Sequence, residues 1–590
     1  MKKTAITFLA SVLLLVTGLK AQTIQEGVSH LYAGRYKSAT AVFDKLLAVN
    51  PNNIEAMYWQ GQVFLDNDEI KGARVSSARA LYEKAMASTN GAPLIEVGLG
   101  HVELLEGKMN ESRQHFETAL TLTRGKKGDD PVIETAIGRA IVDSKTGDYA
   151  YAVKLLEDAS AKDPKNTETL LQLGNAYRKA GQGSGGGQAY TTYLKAIAVN
   201  PAFAVANLRL AQLFQSQNNN ELVLKYLTDA TTQDPKFANA YYELFYYYFY
   251  RLKYDEAEAQ LKKYIDSKLP ESDIGDQYLY AQLCWARKDF DCAITKAEGV
   301  IAALGDNTKP KVYRLLADAY FQKNDYNNAK KFSDMFFAKK NPEDPILPDY
   351  ELKAQIVGKL GAAPDEVYNT YIGALAVDTT VDAKVAFLKK GATYFKENKI
   401  RDKEALMLAK LIEMKPKPII NDYFDLALAN YFSGNYAKSR ETALLMKEKF
   451  ADQVYGYEWA FNSAIAVDTI KQDSIAVPDA LSLYEFSQKD SVKFKKQYIS
   501  TVRYLAAYYI NKAKDKDKSL EYFRKWQAAD TANASSIQTY IDQIEKMNKP
   551  AAKPASGKGT GKTDTPATKQ KALTVNKKTA KATKNTVARQ

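Results

Sequence analysis

Residues 147–180 read GDYAYAVKLLEDASAKDPKNTETLLQLGNAYRKA. Gly147-Asp148-Tyr149 opens a run in which Ala152, Leu156 and Ala159 recur at three- and four-residue spacing. That is the period of a helix with one buried face. Asp163-Pro164 closes the run, because proline cannot continue a helix and a short polar side chain before it suits a turn. A second helical run follows, carrying Gly174 and Tyr177. Small residues let two antiparallel helices approach closely, and an aromatic ring fills the wedge between neighbouring pairs.

The same spacing extends in both directions. Prolines at 51, 93, 131, 164, 201, 235, 270, 310 and 342 stand 32 to 42 residues apart, several of them after Asn or Asp. The first unit holds Gly27, Gly34-Arg35-Tyr36, Ala39, Phe43 and Pro51, and a later one Gly174, Tyr177, Ala189, Tyr193, Ala196 and Pro201. This pattern resembles the tetratricopeptide repeat, in which Gly-x2-Tyr, Ala-x3-Phe and Pro recur every ~34 residues. The resemblance implies an all-α solenoid of antiparallel helix pairs in a right-handed superhelix. It covers 22–345 as a repeat array and 346–548 as degenerate repeats, legible at Ser433-Gly434-Asn435-Tyr436. The last pair falls near 496–529, with a capping helix over 535–548. Pro342, Pro345 and Pro348 cluster where a hinge is expected.

The chain has 590 residues, 45% hydrophobic and 26% charged, with a net charge of +13. Residues 1–21 hold three lysines and no acid, and 549–590 hold ten lysines, Arg589 and a single acid, Asp564. Removing these from the 82 basic and 69 acidic residues leaves 68 of each sign in 22–548. The body is formally neutral, so the charge does not point to nucleic acid as a partner. Met1-Lys2-Lys3, the apolar run Ile6–Leu19 and the small residue Ala21 have the layout of a secretory signal peptide. The expected compartment is the periplasm, with secretion as the alternative. No later run of about 18 apolar residues suggests a membrane span. The segment 549–590 lacks Phe, Tyr and Trp and reads as a disordered basic tail. Anionic envelope polymers or lipid headgroups are its available partners, and a solubilising role is the other reading.

Three histidines and two cysteines exclude a multi-ligand zinc site, a haem centre or an iron–sulfur cluster. No cofactor or metal is expected. His30, His101 and His115 stand in different helices, mostly among surface-type residues. No Ser-His-Asp order or HExxH is present, and the chain reads as non-catalytic. Residues 556–563, SGKGTGKT, miss the first glycine of a phosphate-binding loop and follow no strand.

The run Tyr241 to Tyr250 (YYELFYYYFY) is the least ordinary stretch. Tyr241, Phe245 and Tyr248 match the core stripe of the repeat. Tyr242, Tyr246, Phe249 and Tyr250 form the adjacent stripe, which the family resemblance places on the concave groove. The equivalent stripes of the next units carry Tyr278, Gln282 and Trp285, then Arg314, Asp318 and Phe321. Such a row could grip a peptide or stack on sugars, or serve as packing between repeats. Asn175 stands without the basic partners of the family's carboxylate clamp, which argues against a chaperone-tail adaptor.

Cys284 and Cys292 lie across an expected helical turn, and an oxidising compartment permits a disulfide; two buried thiols are the alternative. Asp followed by Thr or Ser recurs at Thr379, Thr469, Ser474, Ser491 and Thr531. This resembles the O-glycosylation sequon of Bacteroidota envelope proteins, and Asp-Thr is equally a good turn and helix cap. The whole resembles exported repeat proteins of Bacteroidota. It implies a periplasmic scaffold that binds envelope proteins or peptides, with a glycan-binding component of a nutrient-uptake system as the alternative.

Overall fold

The computed structural model describes residues 23–67, 73–181, 185–271, 273–339, 345–471 and 474–548. The expected signal peptide, the basic tail with its phosphate-loop-like stretch, and Pro342 lie outside the described residues. Those described form twenty-nine α-helices with short 3-10 and π turns and one isolated bridge, Gly125 to Gly128. None of these helices is long and apolar enough to cross a membrane. The chain divides into two units, ending and beginning at Phe336 and Phe337.

The first unit is a row of helix pairs. They are α1 Ile24–Tyr32 with α2 Tyr36–Val49, α3 Ile54–Asp66 with α4 Arg74–Thr89, and α5 Pro93–Leu105 with α6 Met109–Thr123. Next come α7 Pro131–Asp143 with α8 Tyr149–Lys162, α9 Thr167–Ala180 with α10 Gly185–Val199, and α11 Ala204–Gln215 with α12 Asn220–Gln233. The row ends with α13 Ala238–Phe249 and α14 Tyr254–Lys268, α15 Gln277–Ala286 and α16 Phe290–Leu304, and α17 Pro310–Gln322 and α18 Tyr326–Ala338. Helix starts follow local chemistry. The Asp148 and Asn166 side chains accept from the backbone N–H of Tyr151 and Thr169, satisfying donors that a helix N-terminus leaves open. The proline ladder has two kinds of rung. Pro93, Pro131 and Pro310 sit in the first turn of a helix, where a missing N–H costs nothing. Pro51, Pro164 and Pro201 lie in the turns between pairs.

Within a pair, a small residue of the first helix faces a large ring of the second. A Cβ on Gly27 would come within 2.5 Å of Phe43, and one on Gly61 of α3 would meet the Tyr82 ring of α4, which has no exposed surface. Gly61→Val should therefore cost about 3 kcal/mol, the upper end of overpacking a core. Urea denaturation followed by circular dichroism measures it, and an unchanged midpoint would show that the pairs can part without penalty.

The first helices also pack on one another, and α7 is buried at every position from Ile133 to Val142. A helix buried all round is covered on both sides. One cover is the second helices; the other comes from the row turning back on itself. Tyr32, at the end of α1, donates to Glu168 of α9 at 2.6 Å and accepts from Arg139 of α7 at 2.6 Å. Its ring meets Phe203 edge-on, and its carbonyl accepts from Asn239 of α13 at 2.9 Å. Glu271, just past α14, accepts from the backbone N–H of Lys37 and Ser38 at 2.9 and 2.7 Å and from the Ser38 hydroxyl. A carboxylate is well placed at the positive end of α2, although it comes from 233 residues away.

The second unit has five pairs and a final helix. These are α19 Leu347–Lys359 and α20 Pro364–Gly373, α21 Val381–Glu397 and α22 Arg401–Met414, and α23 Ile420–Phe432 and α24 Tyr436–Lys449. Then come α25 Val454–Lys471 and α26 Ala476–Gln488, α27 Lys495–Tyr508 and α28 Lys516–Ala529, and last α29 Ala534–Asn548. The buried Ile537, Ile541 and Ile544 of α29 close the core around Phe523 and Trp526, as a terminal cap must.

Candidate functional site

The aromatic run forms most of α13, and its two stripes separate. Tyr241 and Phe245 are buried, and Tyr248 is half-buried. On the other stripe Tyr242, Tyr246 and Phe249 are half-buried, while Tyr250 is 74% exposed. Their rings form one cluster: Tyr242 to Tyr246 at 5.0 Å, and Tyr246 stacked on Tyr250 at 5.6 Å. The Tyr246 hydroxyl donates to Gln282 of α15 at 3.1 Å, so the row passes from one pair to the next. Burial raises the Tyr246 phenol well above its usual pKa, which keeps it a neutral donor.

Further along, Trp285 is 38% exposed. Tyr278 is buried under Lys311, whose Nζ lies 4.6 Å from the ring centre. Arg314 lies over the Phe336 ring, Asp318 accepts from Gln322, and Phe321 packs on Tyr326. The structure thus brings Tyr242, Tyr246, Phe249, Tyr250 and Gln282 together. It leaves Tyr250 and Trp285 most open and puts Tyr278 inside. Asn175 is occupied structurally, donating to Gln172 and accepting from Tyr193.

A second site was not foreseen. Arg139, only 5% exposed, donates to Gln62, Tyr32 and Glu168, and its guanidinium lies 4.8 Å from the Trp59 ring centre. Gln172 donates to Glu168, and Gln62 to Tyr82. Burial works against the Arg139 charge, and Tyr32 and Glu168 outweigh it. One signal was available: Arg139 is the only cation in α7, PVIETAIGRAIVD, and stands inside the apolar run from Ala136 to Val142. His101 corrects the surface reading of the histidines. It is 2% exposed on α5, and neither ring nitrogen has a hydrogen-bond partner among the described residues. Burial, then the charges of Arg139 and Arg74, lower its pKa to about 3. The helix that carries it packs on α3, α4, α6 and α7. His115 pairs with Glu96 at 2.6 Å.

Cys284 and Cys292 are bonded, with Cα atoms 5.7 Å apart, across the three-residue turn joining α15 and α16. Lys288 in that turn takes the left-handed conformation, φ 63°. Of the Asp-Ser/Thr positions, Thr379, Ser491 and Thr531 are exposed where helices are joined. Ser474 is half-buried, and the Thr469 side chain lies outside the described residues. Among the described residues no His, Cys, Asp and Glu side chains gather as a metal site.

Segments 24–93 and 310–333 both match the tetratricopeptide repeat family. The chain is a tetratricopeptide-repeat protein. Two bacterial repeat structures are similar to it. The C-terminal part of a repeat-containing protein from Cytophaga hutchinsonii is 22% identical, covering 44% of this chain and 98% of that one, TM-score 0.27. A repeat protein from Parabacteroides merdae is 19% identical, covering 45% and 98%, TM-score 0.36. Yeast Tom70 is 14% identical, covering 73% and 98%, TM-score 0.35. A tetratricopeptide array presents a long surface built from successive helices, which suits protein partners.

Proposed function

We propose that this tetratricopeptide-repeat protein is a non-catalytic scaffold of the periplasm that holds envelope proteins or peptides on the aromatic row of α13 and α15. The observation that carries this reading is the pairing of an exposed Tyr250 and a half-exposed Trp285 with a half-buried ring cluster behind them. Rigid aromatic side chains that offer both apolar area and polar tips are the residues that dominate protein interfaces. Export is supported by the signal-like segment 1–21 and by the Cys284–Cys292 bond, which suits an oxidising compartment.

The test is capture of partners from envelope extract by the full mature chain. Tyr250→Ala/Trp285→Ala should reduce capture at least tenfold while costing well under the ~3–5 kcal/mol of truncating a buried aromatic, since Tyr250 is 74% and Trp285 38% exposed. Undiminished capture would remove the aromatic row from the function. If the captured material is polysaccharide, the protein belongs instead to glycan uptake. A chain lacking 549–590 should keep the specific capture. It should lose only the association with anionic polymer or lipid headgroups that high salt screens.

A further inference from the structure

At one end of the first unit the starts of α3, α5, α7 and α9 surround a cavity of about 400 Å3, which α1 closes on one side. Much of its wall is apolar, from Ile24 and Val28 of α1, Ile54, Leu94, Val132 and Phe203. Val132 is 55% exposed and Ile54 38% exposed, so the apolar lining continues out to the rim. Volume and lining match a ligand pocket, mostly apolar with a few polar groups.

The charges narrow the occupant. Glu55, Arg139 and Glu168 are the charged side chains at the cavity among the described residues. Arg139 is turned onto Glu168, Tyr32 and Trp59, so its charge is met from within. The starts of α3, α7 and α9 are already capped by Asn53, Asp130 and Asn166, while α5 begins on Pro93, which has no N–H, without a side-chain cap; three of the four helix starts already hold an acceptor. Glu55 stands exposed at the mouth. The balance favours an apolar group with a positive charge beside it.

We propose that this cavity is a second peptide site, taking a branched aliphatic side chain of a partner segment whose neighbouring lysines face Glu55. The inference rests on the protein-binding reading above but uses different residues. Because Ile24 and Val28 belong to α1, the occupant would also pack on the first helix pair and hold it against the rest of the row.

A suitable probe is a labelled peptide, KQKALTVNKK, the sequence of residues 569–578, in which Leu573 and Val575 stand among lysines. Fluorescence anisotropy with the full mature chain carrying Leu573→Ser/Val575→Ser, so that its own copy of this segment does not compete, should show saturable binding. Replacing the peptide's Leu and Val by Ser should weaken binding at least tenfold with charge unchanged. Val132→Arg/Glu55→Lys, at two exposed positions, should do the same with helicity intact. Hydrogen exchange of α1 should slow when the peptide is bound. No binding below millimolar concentration, equal binding of the Ser peptide, or equal binding to the rim variant would each overturn the proposal. Tyr250→Ala/Trp285→Ala should leave peptide affinity unchanged. Failure here with envelope capture intact would therefore remove the cavity and leave the aromatic row standing.

Discussion

His101→Leu should make the first unit insensitive to an acid-induced loss of stability that the unaltered protein suffers. The imidazole is buried and held neutral, with its pKa lowered to about 3. In the unfolded chain it titrates near ~6.5. Above that pH it is neutral in both states and contributes no pH dependence. As pH falls below it, the unfolded state takes up a proton that the folded state refuses. Stability then drops by about 1.4 kcal/mol per pH unit, until the folded state is protonated as well. Between pH 6.5 and 5 the difference between the two proteins should change by about 2 kcal/mol. Carboxylates elsewhere titrate alike in both and cancel. At neutral pH the variant should be the more stable, since it removes a polar ring with no partner among the described residues. Urea midpoints across pH measure both effects. Parallel curves for the two proteins would show that His101 is solvated.

Arg139→Met should cost about 3 kcal/mol, the lower end of the range for breaking a buried ion pair. The lower end applies because Glu168 keeps 21% of its side chain exposed and can rehydrate in part. The variant also takes a donor from Tyr32 and Gln62, so the loss should be greatest in the contact between α1 and the later pairs. Arg139→Met/Glu168→Leu should recover much of the stability, because the more buried of the two carboxylates paired with Arg139 is then gone and Asp143, 44% exposed, is left in reach of water. A double variant as unstable as the single one would mean that the Trp59 and Tyr32 rings, not Glu168, hold the guanidinium. Hydrogen exchange resolves the location: α1 amides should open well before those of α12.

The helix pairs were legible because their cause is local. Gly27 with Phe43 and Gly61 with Tyr82 are close approaches within one pair, so they repeat in the chain at the period of the pair. The core stripe through Tyr241 and Phe245 was legible for the same reason. Tyr278 was not. Spacing puts it on the open stripe, yet it lies in the first turn of α15, beside the cavity shared with the Gly34–Tyr36 turn of the first pair, and it is buried there. The Arg139 network escaped on the same ground. It depends on residues more than a hundred positions apart, such as Arg139 with Tyr32, and such contacts leave no periodic mark in a sequence.

The carboxylate of Glu271 on the start of α2 has a consequence for how this protein can change over evolutionary time. An open row of repeats tolerates duplication or loss of a unit, because each unit meets only its neighbours. Here the first pair must meet residues of the fifth, sixth and seventh pairs at once. Adding or deleting one pair between them would carry Glu271 and Asn239 a whole helix width from the backbone they bind. The number of repeats between Ile24 and Glu271 should therefore be invariant among descendants of this chain that keep these contacts. The second unit carries no comparable long-range clasp among its described residues, and it is the part in which repeats can be gained or lost.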